Sequence, residues 1–187
     1  IASMPIDPAT PLFRVRSFTL LFVTRVASTT AMQMLSVIVG WHIYELTNSA
    51  LNLGLIGLAQ FIPPLFLMLA AGHVADRYDR RVVVRLCQIV EGLAAAALAV
   101  GSFSGWQSKE SLLVVVFVTG AARAFEAPTI HALVPRLVPA PIIPRAMAWS
   151  ASAHQTATIL GPAIGGLLYT AGPTAAYATA GILFRVA

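Results

Sequence analysis

The sequence predicts an all-α membrane protein, a bundle of six transmembrane helices, and three observations lead there. Of 187 residues, 58% are hydrophobic and only 10% charged, against about 25% charged in a soluble domain, and the mean hydropathy is +0.81. The apolar residues come in long segments separated by short polar breaks, and the arginines gather in alternate breaks. In water such a chain would lack the polar surface to stay dispersed, so the apolar excess must face lipid. One cysteine, Cys87, leaves no disulfide framework and no Cys-rich metal site, and no metal or cofactor is expected.

The segments follow in order. An N-terminal segment, 1–17, precedes an apolar run from about Phe18 to Leu46, which Thr47-Asn48-Ser49 breaks with turn-forming residues. The second run, Leu51 to Ala71, passes through Pro63-Pro64 and meets the charged stretch from Asp76 to Arg81. The third covers Val82 to Phe103, and a polar link follows from Ser104 to Glu110. The fourth covers Leu112 to Val134, and a link with Pro135, Pro139, Pro141 and Pro144 follows. The fifth runs from Ala146 to Tyr169, Gly172-Pro173 turns the chain, and the sixth starts at Thr174. Segments of this length are helices rather than strands. Internal prolines are tolerable because packed neighbours satisfy the freed backbone groups. The chain starts with Ile1 rather than Met, and its last 14 residues reach only about 21 Å as a helix. Both features predict a fragment whose sixth helix is truncated. No cleavable signal peptide is visible, because the first apolar run is too long for one.

Alternating helices place Arg14, Arg16, Arg77, Arg80, Arg81, Arg85, Arg136 and Arg145 on one side and only Lys109 on the other. Positive residues in short loops stay cytoplasmic, which predicts a cytoplasmic N-terminus. This bias also accounts for the net charge of +5 without nucleic acid, since no reading module or aromatic interleaving accompanies the arginines. Attraction to membrane lipid headgroups follows from the same residues.

The break after the second segment reads Gly72-His73-Val74-Ala75-Asp76-Arg77-Tyr78-Asp79-Arg80-Arg81. A glycine at a helix end permits close approach of a neighbour or a sharp exit. Asp76 among arginines is suited to charge-assisted pairing at the membrane surface. A solvated topogenic loop would need the arginines but not the Gly-to-Asp spacing. In the fifth segment, Ala157, Gly161 and Gly165 form a small-residue face that lets backbones touch. Pro162 beside it removes one helical hydrogen bond and invites a bend. Ordinary tight helix packing accounts for these residues too.

These residues resemble the major facilitator superfamily. Gly72, Asp76, Arg77, Arg80 and Arg81 match its loop signature G-x-x-x-D-R-x-G-R-R, with Asp79 where glycine is usual. By resemblance Asp76 and its arginines form a cytoplasmic conformational latch against the second half. Gly161, Pro162, Gly165 and Gly166 are similar to the antiporter motif G-x-x-x-G-P-x-x-G-G, with Ala157 replacing its first glycine, and that motif is associated with exporters. Gly40-Trp41, the run Tyr44 to Leu51, and Phe125-Glu126-Ala127-Pro128-Thr129 resemble bacterial members of the enterobactin-exporter-like group. The resemblance covers nearly the whole chain but only the first half of a twelve-helix transporter, built from two inverted three-helix repeats. It implies proton-driven export of small molecules across a bacterial inner membrane, with a second six-helix half as partner.

Ionisable residues at membrane depth are costly toward lipid and so are functional candidates. Arg25, Thr29, Gln33 and Ser36 make one polar stripe, and Thr119, Arg123 and Glu126 another. Superfamily members line their cavity chiefly with helices one and four, so the resemblance turns both stripes toward it, and Arg123 is similar in placement to the family's helix-four arginine linked to proton transfer. Each candidate also has a structural reading. Arg25 lies about 10 Å into its helix and can snorkel, and Arg123 and Glu126 can neutralise one another at i and i+3. Glu91 reads equally as a buried protonated carboxyl or a coupling site. His154 shares a face with Ser150 and Thr158, where a polar packing contact or a titrating group would both fit. The four histidines, His42, His73, His131 and His154, show no metalloprotease spacing, and no nucleophile elbow or P-loop is present, so no enzyme is expected. An importer of the same fold, and a non-transporting membrane assembly subunit, are the alternatives to export.

Overall fold

A computed structural model describes residues 16–186, apart from the side chains at 75, 76 and 136. Arg14 and most of the segment 1–17 therefore lie outside the described residues, as do the side chains of Asp76 and Arg136. Six α-helices follow in order: α1 (Arg16–Thr47), α2 (Ala50–Arg77), α3 (Arg80–Ser104), α4 (Lys109–Leu137), α5 (Ile143–Tyr169) and α6 (Pro173–Val186). A 3-10 turn, Ala140–Ile142, leads into α5. No strand occurs among the described residues.

The breaks fall where the sequence places them, but the helices reach further into them. Only Asn48 and Ser49 separate α1 from α2, with Asn48 at φ 47°, a left-handed conformation that asparagine tolerates better than most residues. The stretch read as a loop after the second segment is mostly helical: α2 continues through Asp76 to Arg77, and only Tyr78 and Asp79 stand outside a helix. Asp79 caps α3 by accepting a hydrogen bond from the Arg81 N–H at 2.8 Å, and its φ is −62°. No left-handed backbone is required there, so aspartate replaces the usual glycine without strain and satisfies an orphan donor of the helix. Gly105, at φ 69°, ends α3. Ser108 and Ser111 cap α4 reciprocally, each side chain accepting from the other's backbone N–H. Pro135, expected in the link, sits inside α4, and Pro144 in the first turn of α5.

Four helices, α1 to α4, are long and apolar enough to cross a membrane. The 27-residue α5 has the length but is diluted by Ser150, Ser152, His154, Gln155, Thr156 and Thr158. The 14-residue α6 is short.

The helices pair as α1 with α5, α2 with α4, and α3 with α6, while α4 also packs on α3 and α6 on α1. Helix α1 forms the axis. Met34, Ile38, Val39 and Ile43 pack against Ala95 and Leu98 of α3, Leu112 and Val116 of α4, and Ala176, Tyr177, Ala180 and Phe184 of α6. A second cluster, with Phe18, Leu21, Leu133, Val134, Ile142 and Ala146, closes the opposite end. Outside this core, large apolar residues such as Leu51, Phe66, Leu69 and Phe103 are exposed, which suits a surface bathed in acyl chains.

Candidate functional site

Close helix crossings set the site. On α5, a side-chain carbon at Gly161 would lie 2.6 Å from Gln33 Cβ, and one at Gly165 would lie 2.9 Å from Met34 Cα. Ala157, buried, continues that face. The α1–α5 contact thus depends on residues without bulk. Gly120 plays the same part between α4 and α2, where an added carbon would meet the Gln60 carbonyl at 2.8 Å. The other motif glycines differ. Gly72 lies within α2 rather than at its end, and neither it nor Gly166 has an atom within 4 Å of an added Cβ. Neither makes a close approach inside this bundle.

The crossings bring the predicted polar residues of α1, α4 and α5 together. Arg25 is buried, donates from Nη1 to Ser150 Oγ at 2.6 Å and has Nη2 3.3 Å from His131 Nε2. It therefore does not snorkel to the surface, because a hydroxyl of α5 and an imidazole of α4 hold the guanidinium inside. Thr29 Oγ1 is 3.4 Å from His154 Nδ1, so the α5 histidine contacts α1. Gln33, half-buried, shares a cavity of about 380 Å³ with Met32, Ser36, Gln60, Phe61 and Arg123. Ser36 Oγ donates to Gln60 Oε1 there at 3.3 Å.

Arg123 and Glu126 do not form an ion pair with each other. Glu126 turns inward, 2% exposed, and its Oε1 accepts from Ser28 Oγ at 2.8 Å and Gln88 Nε2 at 3.2 Å. Its carboxyl therefore ties α4 to α1 and α3, while Arg123 stays at the cavity wall. Glu91, one helical turn along α3 from Gln88, is fully buried and neither carboxyl oxygen has a hydrogen-bond partner. It is not on the cavity wall. Thr119 bonds within its own helix, to the Val116 carbonyl.

Several members of this network are invisible to a helix-stripe reading. Ser28 lies three residues from Arg25, yet it serves Glu126, 98 positions away. Gln88, three residues before Glu91, is a local signal, a polar pair within the apolar stretch of α3 that follows Arg85. His131 stands in a run taken for plain span. At the far end of the bundle, His42 Nδ1 meets Tyr177 Oη at 3.0 Å and Tyr169 donates to Glu45 Oε2 at 2.6 Å, joining α1 to α6 and α5.

No group of three or more His, Cys, Asp or Glu residues with metal-holding geometry occurs among the described residues. The arrangement, a polar cluster of mixed charge inside an apolar bundle, is suited to binding a solute or an ion at membrane depth.

Residues 7–186 match the family of transmembrane secretion effectors within the major facilitator superfamily. Macrolide efflux protein A of Streptococcus pyogenes is 27% identical over 130 residues, covering 70% of this chain and 32% of that protein. The staphyloferrin A transporter of Staphylococcus aureus is 26% identical over 129 residues, 68% of this chain and 32% of the relative. The chain spans about a third of the length of these curated relatives. It belongs to the transmembrane secretion effector family, and is a multi-pass membrane protein of the transporter class.

Proposed function

We propose that this chain forms the first six-helix half of a secondary active transporter that exports small molecules across a bacterial inner membrane by alternating access, with proton entry exchanged for substrate. Substrate binds near mid-membrane between this half and a second half. The observation that carries the reading is the polar cluster of Arg25, Gln33, Arg123 and His154 at helix crossings inside an apolar bundle of this family. Export rather than import is favoured by the efflux name of the streptococcal relative and by Gly161, Pro162, Gly165 and Gly166 on α5. The two inverted repeats find support in the helix pairing, whose main partners are unchanged when α1, α2 and α3 are exchanged for α4, α5 and α6. The arginine bias puts the N-terminus in the cytoplasm, and there Gly72, Asp76, Arg77, Arg80 and Arg81 serve as the conformational latch. Glu126 and Glu91 are the carboxyls available for proton exchange, held by Ser28 and Gln88 on one side and unpartnered on the other.

The test is export by the complete protein. Cells with and without it are challenged with a panel of inhibitory compounds, and the protected compound is then followed out of inverted or loaded vesicles with and without an imposed pH gradient. Gradient-dependent export is expected. Accumulation instead of export would establish the importer alternative, and export indifferent to the gradient would remove the proton step.

A further inference from the structure

We propose that the substrate of this half is an anionic small molecule, an apolar body carrying a carboxylate or comparably acidic group, received in the cavity between α1, α2 and α4 with its charge on Arg123. This rests on the transport reading above and names the substrate class for it. The cavity has a volume of about 380 Å³, within the usual range for small-ligand sites. Its wall is apolar at Met32, Phe61 and Pro64 and polar at Arg123, Gln33, Gln60 and Ser36, and no carboxylate lines it among the described residues. The Ser36 hydroxyl occupies Gln60 Oε1, which leaves the amide Nε2 of Gln60 as a donor on the wall that Arg123 also lines.

The sidedness of the charges argues further. The acids near this region, Glu91 and Glu126, are 0% and 2% exposed, and Glu126 Oε1 is occupied by Ser28 and Gln88. Of the basic groups, half-buried Arg123 lines the cavity itself, while Arg25 is held by Ser150 beside His131, and His154 contacts Thr29. A solute in the cavity therefore meets the Arg123 guanidinium and the amide and hydroxyl groups of its wall, and the carboxyls of Glu91 and Glu126 only through protein. A cation would lose its hydration at this depth without reaching a counter-charge, whereas an anion gains charge-assisted hydrogen bonds. Exposed Phe61 supplies a flat apolar face for the remainder of the molecule.

A matched pair of probes tests this: 1-naphthoate and 1-naphthylmethylammonium, alike in size and opposite in charge. Equilibrium binding of each to the complete protein in lipid nanodiscs is measured by calorimetry at low and moderate salt. Naphthoate is expected to bind at least about ten-fold more tightly than the ammonium, the scale of one charge-assisted contact. Arg123→Gln should abolish the preference, Arg123→Lys should keep part of it, and Gln60→Leu should weaken naphthoate several-fold. Should Arg123→Gln fail to fold, the Lys and Leu variants decide the matter. Equal or tighter binding of the ammonium, undiminished naphthoate affinity in Arg123→Gln, or binding of neither probe overturns the proposal. Because binding is read without flux, an anion preference in a protein that moves nothing would sink the transport reading alone. Active export with an ammonium preference would sink this one alone.

Discussion

Gly161 of α5 stands directly against Gln33 of α1: a Cβ added to the glycine would fall 2.6 Å from that of the glutamine and 3.2 Å from the Thr30 carbonyl oxygen. One backbone thus rests on the other at the same place where Gln33 reaches the cavity with Arg123. Packing and site chemistry are decided by one crossing.

Gly161→Val should therefore force α5 away from α1, at a cost of about 1–3 kcal/mol for overpacking a tight contact. Gly166→Val, on the same helix but with nothing within 4 Å of the added carbon, should be tolerated in this bundle. Thermal unfolding of the two purified variants in detergent compares them, and equal loss would refute the assignment of the crossing to Gly161.

Glu126 binds three helices together, so its truncation and its amide replacement should differ. Glu126→Ala leaves the Ser28 hydroxyl and Gln88 amide buried without their acceptor, worth about 1–3 kcal/mol for an orphaned buried group. Glu126→Gln keeps an acceptor oxygen and should lose less. Denaturation in mixed micelles ranks the two, and an Ala variant as stable as the Gln variant would mean that the hydrogen bonds contribute nothing.

Asp79 is expected to act as a helix cap. Asp79→Ala should destabilise the start of α3 by about 1 kcal/mol, and Asp79→Gly by only a few tenths. Hydrogen exchange at the amides of Arg81, Val82 and Val83 reports this locally. Faster exchange in the glycine variant than in the alanine variant would contradict the capping account.

For Asp76 the expectation concerns cycling. Asp76→Asn in the complete protein should lower transport while membrane insertion and yield stay normal. Flux of the protected compound, normalised to inserted protein, is the readout, and wild-type flux would remove the latch assignment.

Tyr177→Phe should cost about 0.5–1.5 kcal/mol, because the Tyr177 hydroxyl is the partner of buried His42. Tyr169→Phe, on the more exposed Glu45 pair, should cost less. A reversed order in thermal melts would show that the outer pair carries the greater share.

The linear sequence by itself determined the class of protein, the six helices, and the alternate placement of arginines. Each follows from composition and from short-range pattern, and burial in lipid imposes both along the chain one segment at a time. Helix ends were less legible: Asp76 and Arg77 read as loop because they are charged, yet α2 extends through them until the cap at Asp79 starts the next helix. Small-residue spacing marked Gly161 and Gly165 as contact positions, whereas Gly72, read as a helix-end glycine, and Gly166, brought in by the motif resemblance, have no atom within 4 Å of an added Cβ. Only the tertiary structure separated these, since spacing says that a helix can be approached and not which helix comes. The same holds for charge. Arg123 and Glu126 are neighbours on one helix, but Glu126 is taken by Ser28 and Gln88 from α1 and α3 while Arg123 faces the cavity. Those partners lie 98 and 38 positions away in the chain. Helical periodicity orders residues around one axis, whereas hydrogen bonds between buried groups depend on how several axes cross.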